Sequence, residues 1–336
     1  MAKKVLLIGS QPRRMTRLRR TYGSLKELGV DVRVMEPYTK PQGRPRIVKG
    51  IVRYLALLFQ VAFLRADIYH VFNVPDVIGL PLLLKKGTVV YDVRSPWFSS
   101  IKEALGNSAL SRIGGYIEWI MTRGSDLVLT ANYPLAHRAH RWGARRITMI
   151  PNYPPSDFGP KRDKKEMRKI LGLGNEQVIL YLGKISKIEG SELLKDIILK
   201  TCKEVPSAKF LVVGDGSERP SVDIFIEQNK LGDRVVMTGW VDHEDVADYI
   251  AAADICLLPR KWDTFSPYTA PENITKATEY LAVGRVVIAP KMGGFTTAEF
   301  PIIPADPSEM ADVLIEFLKN PRPINDFKPT DEKTYT

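Results

Sequence analysis

The sequence predicts an α/β protein built from two doubly wound, Rossmann-like domains. Three observations carry that prediction. Short runs rich in Val, Ile and Leu, suited to buried parallel strands, alternate with helical stretches along the chain. The same alternation restarts after a Pro-rich, turn-forming stretch at 151–160. At 336 residues, the chain also exceeds the size at which a single core stops growing. The expected organisation is a first domain over 1–151, a linker with a first helix over 152–175, and a second domain over 176–336, with a cleft between opposed strand ends.

Residues 5–8 (VLLI) read as the first strand, ended by Gly9. A helix over 15–28 closed by Gly29, then a strand over 30–35, complete a βαβ opening. Ser10, Gln11, Pro12, Arg13 and Arg14 follow Gly9, so the G-x-G-x-x-G fingerprint is missing, which argues against a nicotinamide dehydrogenase. Arg13, Arg14, Arg17, Arg19 and Arg20 crowd this loop and helix, reading either as a solvated face or as a contact for phosphate or lipid headgroups. Residues 47–64 are apolar nearly all round, with Lys49, Arg53 and Arg65 interleaved; they read as a buried helix or as one lying in a membrane surface. The longest apolar run, 54–64, is about half a bilayer span, so no transmembrane helix is expected. The opening MAKKVLLIG reads as a strand, not a signal peptide.

The next strands, 67–71 and 89–94, carry His70 near the end of one and Asp92 and Arg94 at the end of the other. Ligands of open α/β sheets bind beyond the carboxyl ends of strands, which makes these three residues candidates for chemistry. A single histidine reads equally as a satisfied structural residue. A helix over 111–123 and strands over 127–130 and 147–150 finish the first domain. The second brings a charged helix over 161–170, then strands at 178–183, 210–216, 235–239 and 255–258, with a helix over 191–203.

Its centre is 271–290, PENITKATEYLAVGRVVIAP: loop, helix, glycine stop, buried strand. Asn273 or Thr275 is placed to cap the helix, and Gly284 to end it in the left-handed conformation. The amides at such a helix start form an anion site. Glu279, read as lying near the helix start and off its core-facing run, can accept two hydrogen bonds from a vicinal diol such as a ribose.

Charge is unevenly spread. The total of 49 Lys and Arg against 38 Asp and Glu leaves +11, yet residues 1–160 hold 25 basic and only 10 acidic residues. Such a half suits a polyanionic partner, whether an anionic membrane face, a phosphorylated substrate or nucleic acid, or is simply a soluble basic surface. Nucleic acid is not expected, because no aromatic-basic motif or reader helix accompanies the charge. Cys202 and Cys256 show no metal spacing and read as core thiols in a reducing compartment.

Taken in order, YLGKIS, LVVGDGSERP, VVMTGWVDHEDVADYIAAADICLLP and TKATEYLAVGRVVIAP resemble the stations of a family 4 glycosyltransferase with the GT-B fold. DIYH, VVYDVRSPW, SDLVLTAN and MIPN in the first half agree more weakly. The resemblance implies transfer of a sugar from a nucleotide-diphosphate donor, with retention and with neither metal nor other cofactor. Cations and helix amides then replace Mg²⁺ at the leaving group. It implies that Glu279 holds the ribose and Lys184 contacts phosphate, with Gly9, Gly214, Thr275 and Lys276 in the donor-binding set. Trp240 lines the nucleobase pocket or is plain packing. The expected acceptor is phosphorylated or lipid-linked, and the expected location is the cytoplasm, peripheral on the inner membrane face.

The chain departs from the family pattern in four places. Glu189 stands before Gly190 where a lysine is expected, leaving Lys187 to supply the charge. Pro271 takes the place of the first of two glutamates, leaving Glu272 or Asn273 for the donor sugar. Arg94 replaces an active-site histidine; it cannot act as a base, so its role is electrostatic. The long helix that usually returns to the first domain is expected to be shortened or missing after 308–319. These departures keep two rivals in play: a catalytically impaired nucleotide-sugar-binding protein and a sugar-nucleotide epimerase on the same fold.

Overall fold

A computed structural model describes residues 3–10, 12, 15–35, 46–73, 75–106, 108–263, 265–291 and 301–321, with the side chains of 46–54, 103–105 and 108 outside that description. The chain divides into two compact units, Met1–Asn152 with Thr264–Tyr268, and Tyr153–Asp263 with Thr269–Thr336. The sequence pattern gives no hint that 264–268 returns to the first unit. Arg13, Arg14, most of the basic loop at 38–46 and the expected C-terminal shortening fall on undescribed residues.

In the first unit, β1 (Lys4–Ile8), β2 (Asp31–Val34), β3 (Ile68–Phe72), β4 (Thr88–Val93), β5 (Leu127–Thr130) and β6 (Ile147–Met149) form a parallel sheet in the order β2-β1-β3-β4-β5-β6. The crossovers are α1 (Thr16–Glu27), α2 (Arg46–Phe63), α3 (Trp97–Leu105), α4 (Ser108–Gly124) and α5 (Tyr133–Arg141). Strands this apolar must be covered on both faces. Leu57 and Val61 of α2 and Met121 of α4 therefore join Val71, Tyr91 and Val128 in one cluster, while Leu18 of α1 joins Leu7 and Phe72 in another. Asn132 caps α5, its side chain accepting from the Leu135 amide at 3.1 Å. Strand order reverses between β1 and β3, so ligand-binding geometry is expected beyond those strand ends.

The fully buried reading of the 47–64 helix needs correcting. Leu57 and Val61 are buried, but Leu55, Phe59 and Phe63 point outward. The sheet offers one face to α2, so an all-round apolar helix leaves its far side uncovered.

The second unit repeats the plan with β7 (Gln177–Leu182), β8 (Ala208–Val213), β9 (Val235–Gly239), β10 (Ile255–Leu257), β11 (Val286–Pro290) and β12 (Ile302–Ala305), ordered β12-β11-β10-β7-β8-β9 and parallel. Its helices are α6 (Lys164–Ile170), α7 (Ser191–Glu204), α8 (Arg219–Gln228), α9 (Val246–Ala252), α10 (Thr275–Ala282) and α11 (Met310–Lys319). Side chains alternate across the sheet. Ile179, Tyr181, Phe210 and Val212 pack with α7 and α11, while Val178, Leu180, Leu211 and Val213 pack with α9 and α10. Cys256 is buried in β10 and Cys202 half-buried in α7, both free thiols. Order reverses between β7 and β10.

Candidate functional site

In the second unit, backbone meets backbone beyond β7, β8 and β10. Gly183 follows β7 with φ +132°, and Gly214 follows β8 with φ +134°. A Cβ on Gly214 would lie 2.0 Å from the Gly183 carbonyl oxygen. Gly190, at φ +84°, sits so close to the turn after β10 that a Cβ would lie 1.5 Å from the Pro259 oxygen. Only glycine fits such approaches. They draw the loop 183–190 against the ends of β8 and β10, at the strand-order reversal.

α10 is keyed beneath this loop. The Tyr280 hydroxyl accepts from the Leu182 amide at 2.9 Å, and the buried helix face carries Ala277 and Tyr280. That register turns Lys276 into the loop. Its Nζ lies 2.7 Å from Glu189 Oε2 and 5.1 Å from the centre of the Tyr181 ring. The lysine expected before Gly190 has thus been exchanged for a glutamate, with the cation supplied from α10. Lys187, proposed on sequence grounds to replace it, is exposed on the loop and makes no contact in this cluster among the described residues. Arg260, just past β10, completes the group: its charge acts on Glu189, Lys276 and Tyr181, and its Nε is buried without a bonding partner among the described residues. Lys184 is exposed at the turn, its backbone oxygen accepting from the Tyr181 hydroxyl at 2.7 Å.

The electrostatics follow from this packing. Burial alone would raise the Glu189 carboxyl, but the charges of Lys276, Arg260 and Lys184 outweigh it and hold the group below its ordinary value. Burial pushes the Lys276 ammonium down; Glu189 opposes that and Arg260 adds to it. Arg260 also pairs with Asp263 at 3.4 Å, so Lys276, Arg260 and Lys184 face two carboxylates and the cluster keeps one positive charge in excess.

Glu279 corrects its sequence reading. It is 3% exposed, on the buried side of α10, and bonds the His243 ring nitrogen Nε2 at 2.8 Å through Oε1. The helical turn that places Lys276 in the loop carries Glu279, three residues on, to the edge where the chain beyond β9 passes. His243 belongs to that stretch, and Trp240, also in it, is 66% exposed, which removes the reading of Trp240 as packing.

The capping expectation also fails. α10 starts after Ile274 with no side-chain cap. Asn273 instead closes a separate 3-10 turn, Pro271–Asn273, its Oδ1 accepting from the Ala270 amide at 2.9 Å. Proline at the start of that turn fixes a bend the sequence pattern hides. Thr275 is the first residue of α10, and Glu272 stands in the 3-10 turn, half-buried.

The first unit holds a second cluster. Asp92, 1% exposed in β4, accepts from Arg17 Nε at 2.8 and 3.0 Å and pairs with His70 Nε2 at 3.1 Å. Arg17 also donates to Ile150 O at 2.7 Å and Asn152 Oδ1 at 2.9 Å. Both readings of the arginine cluster therefore fail at Arg17, which is buried at 8% exposure because a carboxylate inside a strand demands a counter-charge. His70 lies at the middle of β3, stacked on Phe72, and Asp92 lies within β4 rather than beyond it. Burial would raise the Asp92 carboxyl, but the bond from His70 and the charge of Arg17 hold it low. A carboxylate so engaged is a holder of neighbours rather than a free base. Arg94 comes next in the chain, its amide bonded to Asn73 Oδ1 at 3.0 Å. Arg94 Nε and Arg17 Nη2 are both buried and lack bonding partners among the described residues. Gly9 ends β1 in this unit, with Met15 and Leu18 against it.

Sequence reasoning missed Arg260, His243, Asn73 and the buried role of Arg17. The only signal for Arg17 was Asp92, a charge in an apolar strand needing a partner. Among the described residues, no group of three or more His, Cys, Asp or Glu is placed to hold a metal ion.

Residues 176–320 match the family described as glycosyl transferases group 1. The alpha-D-kanosaminyltransferase of Streptomyces kanamyceticus is 23% identical over 76% of this chain and 66% of its own length. The phosphatidylinositol N-acetylglucosaminyltransferase GPI3 subunit of Saccharomyces cerevisiae is 29% identical over 44% of this chain and 31% of its own. The chain thus spans less than two thirds of either relative. Among solved structures, sucrose-phosphate synthase from Thermosynechococcus elongatus superposes with a TM-score of 0.73 at 19% identity, covering 95% of this chain and 90% of that one. HepE of Anabaena, in complex with UDP-glucose, gives 0.63 at 17% identity with the same coverage. These likenesses bear out the expected fold class, two Rossmann-like units of GT-B type.

Proposed function

We propose, from the match of residues 176–320 to the family described as glycosyl transferases group 1, that this chain moves a sugar from a nucleotide-diphosphate donor to an acceptor, with retention and without a metal. The observation that carries the reading is the Lys276–Glu189–Arg260 cluster with Lys184, positive in sum and seated where strand order reverses.

The leaving group of such a transfer is a nucleoside diphosphate, and its developing charge needs fixed cations. Lys276, Arg260 and Lys184 supply them, the amides at the start of α10 add to them, and Gly183, whose bare Cα faces the Lys276 ammonium, admits the diphosphate close to the backbone. Glu279, bonded to His243 through Oε1, is the carboxylate for the ribose diol. Trp240 offers an exposed ring to the base. Glu272 and Asn273, in the turn before α10, are the groups nearest in sequence for the donor sugar. In the first unit, the Arg94 guanidinium, its Nε without a bonding partner among the described residues, meets an anionic group of the substrates, while Arg17 stays engaged with Asp92. The basic first unit suits a phosphorylated or lipid-linked acceptor. HepE was solved with UDP-glucose, so uridine diphosphate sugars are the donors to try first.

The test is donor turnover with and without candidate acceptors. Release of nucleoside diphosphate that depends on acceptor, with an α-linked product from an α-linked donor, supports the proposal. Conversion of the donor sugar alone would favour an epimerase, and binding without release an impaired binding protein.

A further inference from the structure

Away from both clusters, the described half of α2 turns a continuous stripe of large apolar side chains outward. Leu55, Phe59 and Phe63 are 60%, 69% and 69% exposed and recur every fourth residue, one helical face. The Phe59 and Phe63 rings lie 4.8 Å apart, beside a shallow open groove that includes Ala56 and Leu64. Leu84 ends the 3-10 segment Asp76–Leu84 and is 93% exposed. The next residue, Lys85, bonds the Leu64 carbonyl oxygen through its ammonium, which fixes Leu84 at the same end of α2.

Cations rim this patch. Arg65 and Lys86 are exposed. Arg65 follows Leu64, whose carbonyl oxygen holds the Lys85 ammonium, so both cations lie at this end of α2. Asp67, the acidic residue nearest in sequence, accepts from the Lys4 amide at 2.8 Å. Among the described residues, no helix is long and apolar enough to cross a membrane.

We propose that this face docks on an anionic bilayer surface, with Leu55, Phe59, Phe63 and Leu84 entering the boundary between headgroups and acyl chains and Arg65, Lys85 and Lys86 meeting lipid phosphates. Charge complementarity selects this occupant over a second copy of the chain, since a symmetric pair would press one cationic rim against another. A helix apolar on its outer side, flanked by cations and lying flat, is the form that such binding takes. The inference does not rest on the transferase reading.

The experiment is flotation of the full chain with vesicles of phosphatidylcholine alone or with phosphatidylglycerol added. The wild type is expected to float only with the anionic vesicles. Phe59→Ser with Phe63→Ser lowers binding by at least about tenfold. Arg65→Glu with Lys86→Glu lowers it by at least about fivefold per cation. Both double variants should keep the wild-type melting temperature, because the altered side chains are exposed. Lys85 is left intact for its bond to Leu64. Wild type that fails to float with anionic vesicles, or folded variants that float undiminished, would overturn the proposal. So would a wild-type dimer that the phenylalanine variants dissociate.

Discussion

Replacing Lys276 by methionine separates the structural from the binding role of its cluster. The ammonium lies 2.7 Å from Glu189, with the two side chains 12% and 26% exposed. Removing one partner of a fully buried pair costs about 3–5 kcal/mol; Glu189 keeps some access to water and lies near Arg260, which brings the expectation to about 1–3 kcal/mol. For a unit the size of the second one, that is a fall in Tm of roughly 2–4 °C per kcal/mol. Loss of one charge-assisted bond to a diphosphate adds about 2 kcal/mol, or roughly 30-fold in Kd. Glu189→Gln should act differently. It removes the counter-charge of Lys276 while Arg260 keeps Asp263, so the protein is less stable at neutral pH, yet a bound diphosphate now compensates Lys276 and binding is equal or tighter. Thermal unfolding with and without a nucleoside diphosphate, backed by calorimetric titration, reads both quantities. Lys276→Met with unaltered affinity, or Glu189→Gln weakened as much as Lys276→Met, would refute the reasoning.

Glu279→Ala should abolish donor turnover, while His243→Ala, at a side chain 59% exposed, should leave a folded protein whose donor affinity falls by about fivefold or more; steady-state kinetics on both variants checks this. Gly190→Ala should destabilise the second unit by at least about 2 kcal/mol in urea unfolding, since the new Cβ meets the Pro259 oxygen at a positive φ, whereas Gly23→Ala in α1, with nothing within 4 Å, should stabilise by about 0.5–1 kcal/mol. Asp92 has a folded pKa below its ordinary 3.8, so the unfolded chain binds more protons as the medium turns acid; the stability it contributes is present above 3.8 and lost as pH falls toward the folded value. Asp92→Asn should therefore lower urea midpoints near neutrality and flatten their acid decline. Addition of a chelator should leave the transfer rate unchanged, and a tenfold loss restored by a divalent cation would contradict metal-free catalysis.

The fold was legible because parallel strands buried on both faces must read as apolar runs: VLLI, VILYL and FLVV could be little else. Gly29 and Gly284 were legible as helix stops, and both take the left-handed conformation. The site was legible only in outline. Lys184, Lys276 and Glu279 were singled out, but the pairing of Lys276 with Glu189 depends on how α10 is keyed under β7 by Tyr280, a tertiary fact. Arg17 looked like one of five surface arginines, because linear spacing does not reveal which cation a buried aspartate 75 residues away will capture. The outward face of α2 was hidden because apolar content alone does not say how much surface the sheet has to cover it. Helix capping misled at Asn273, where Pro271 installs a turn of its own.

The central claim is that the second unit's cationic cluster and Glu279 grip a nucleotide-diphosphate sugar. A thermal-shift series over such sugars, run on the wild type and on a Lys276→Met, Glu279→Ala double variant, tests it most directly, since a ligand that binds only the native state raises the unfolding midpoint. At least one sugar nucleotide should raise the wild-type midpoint by several degrees and leave that of the folded double variant unmoved. An equal rise in both proteins, or no rise in the wild type with any of them, would contradict the account.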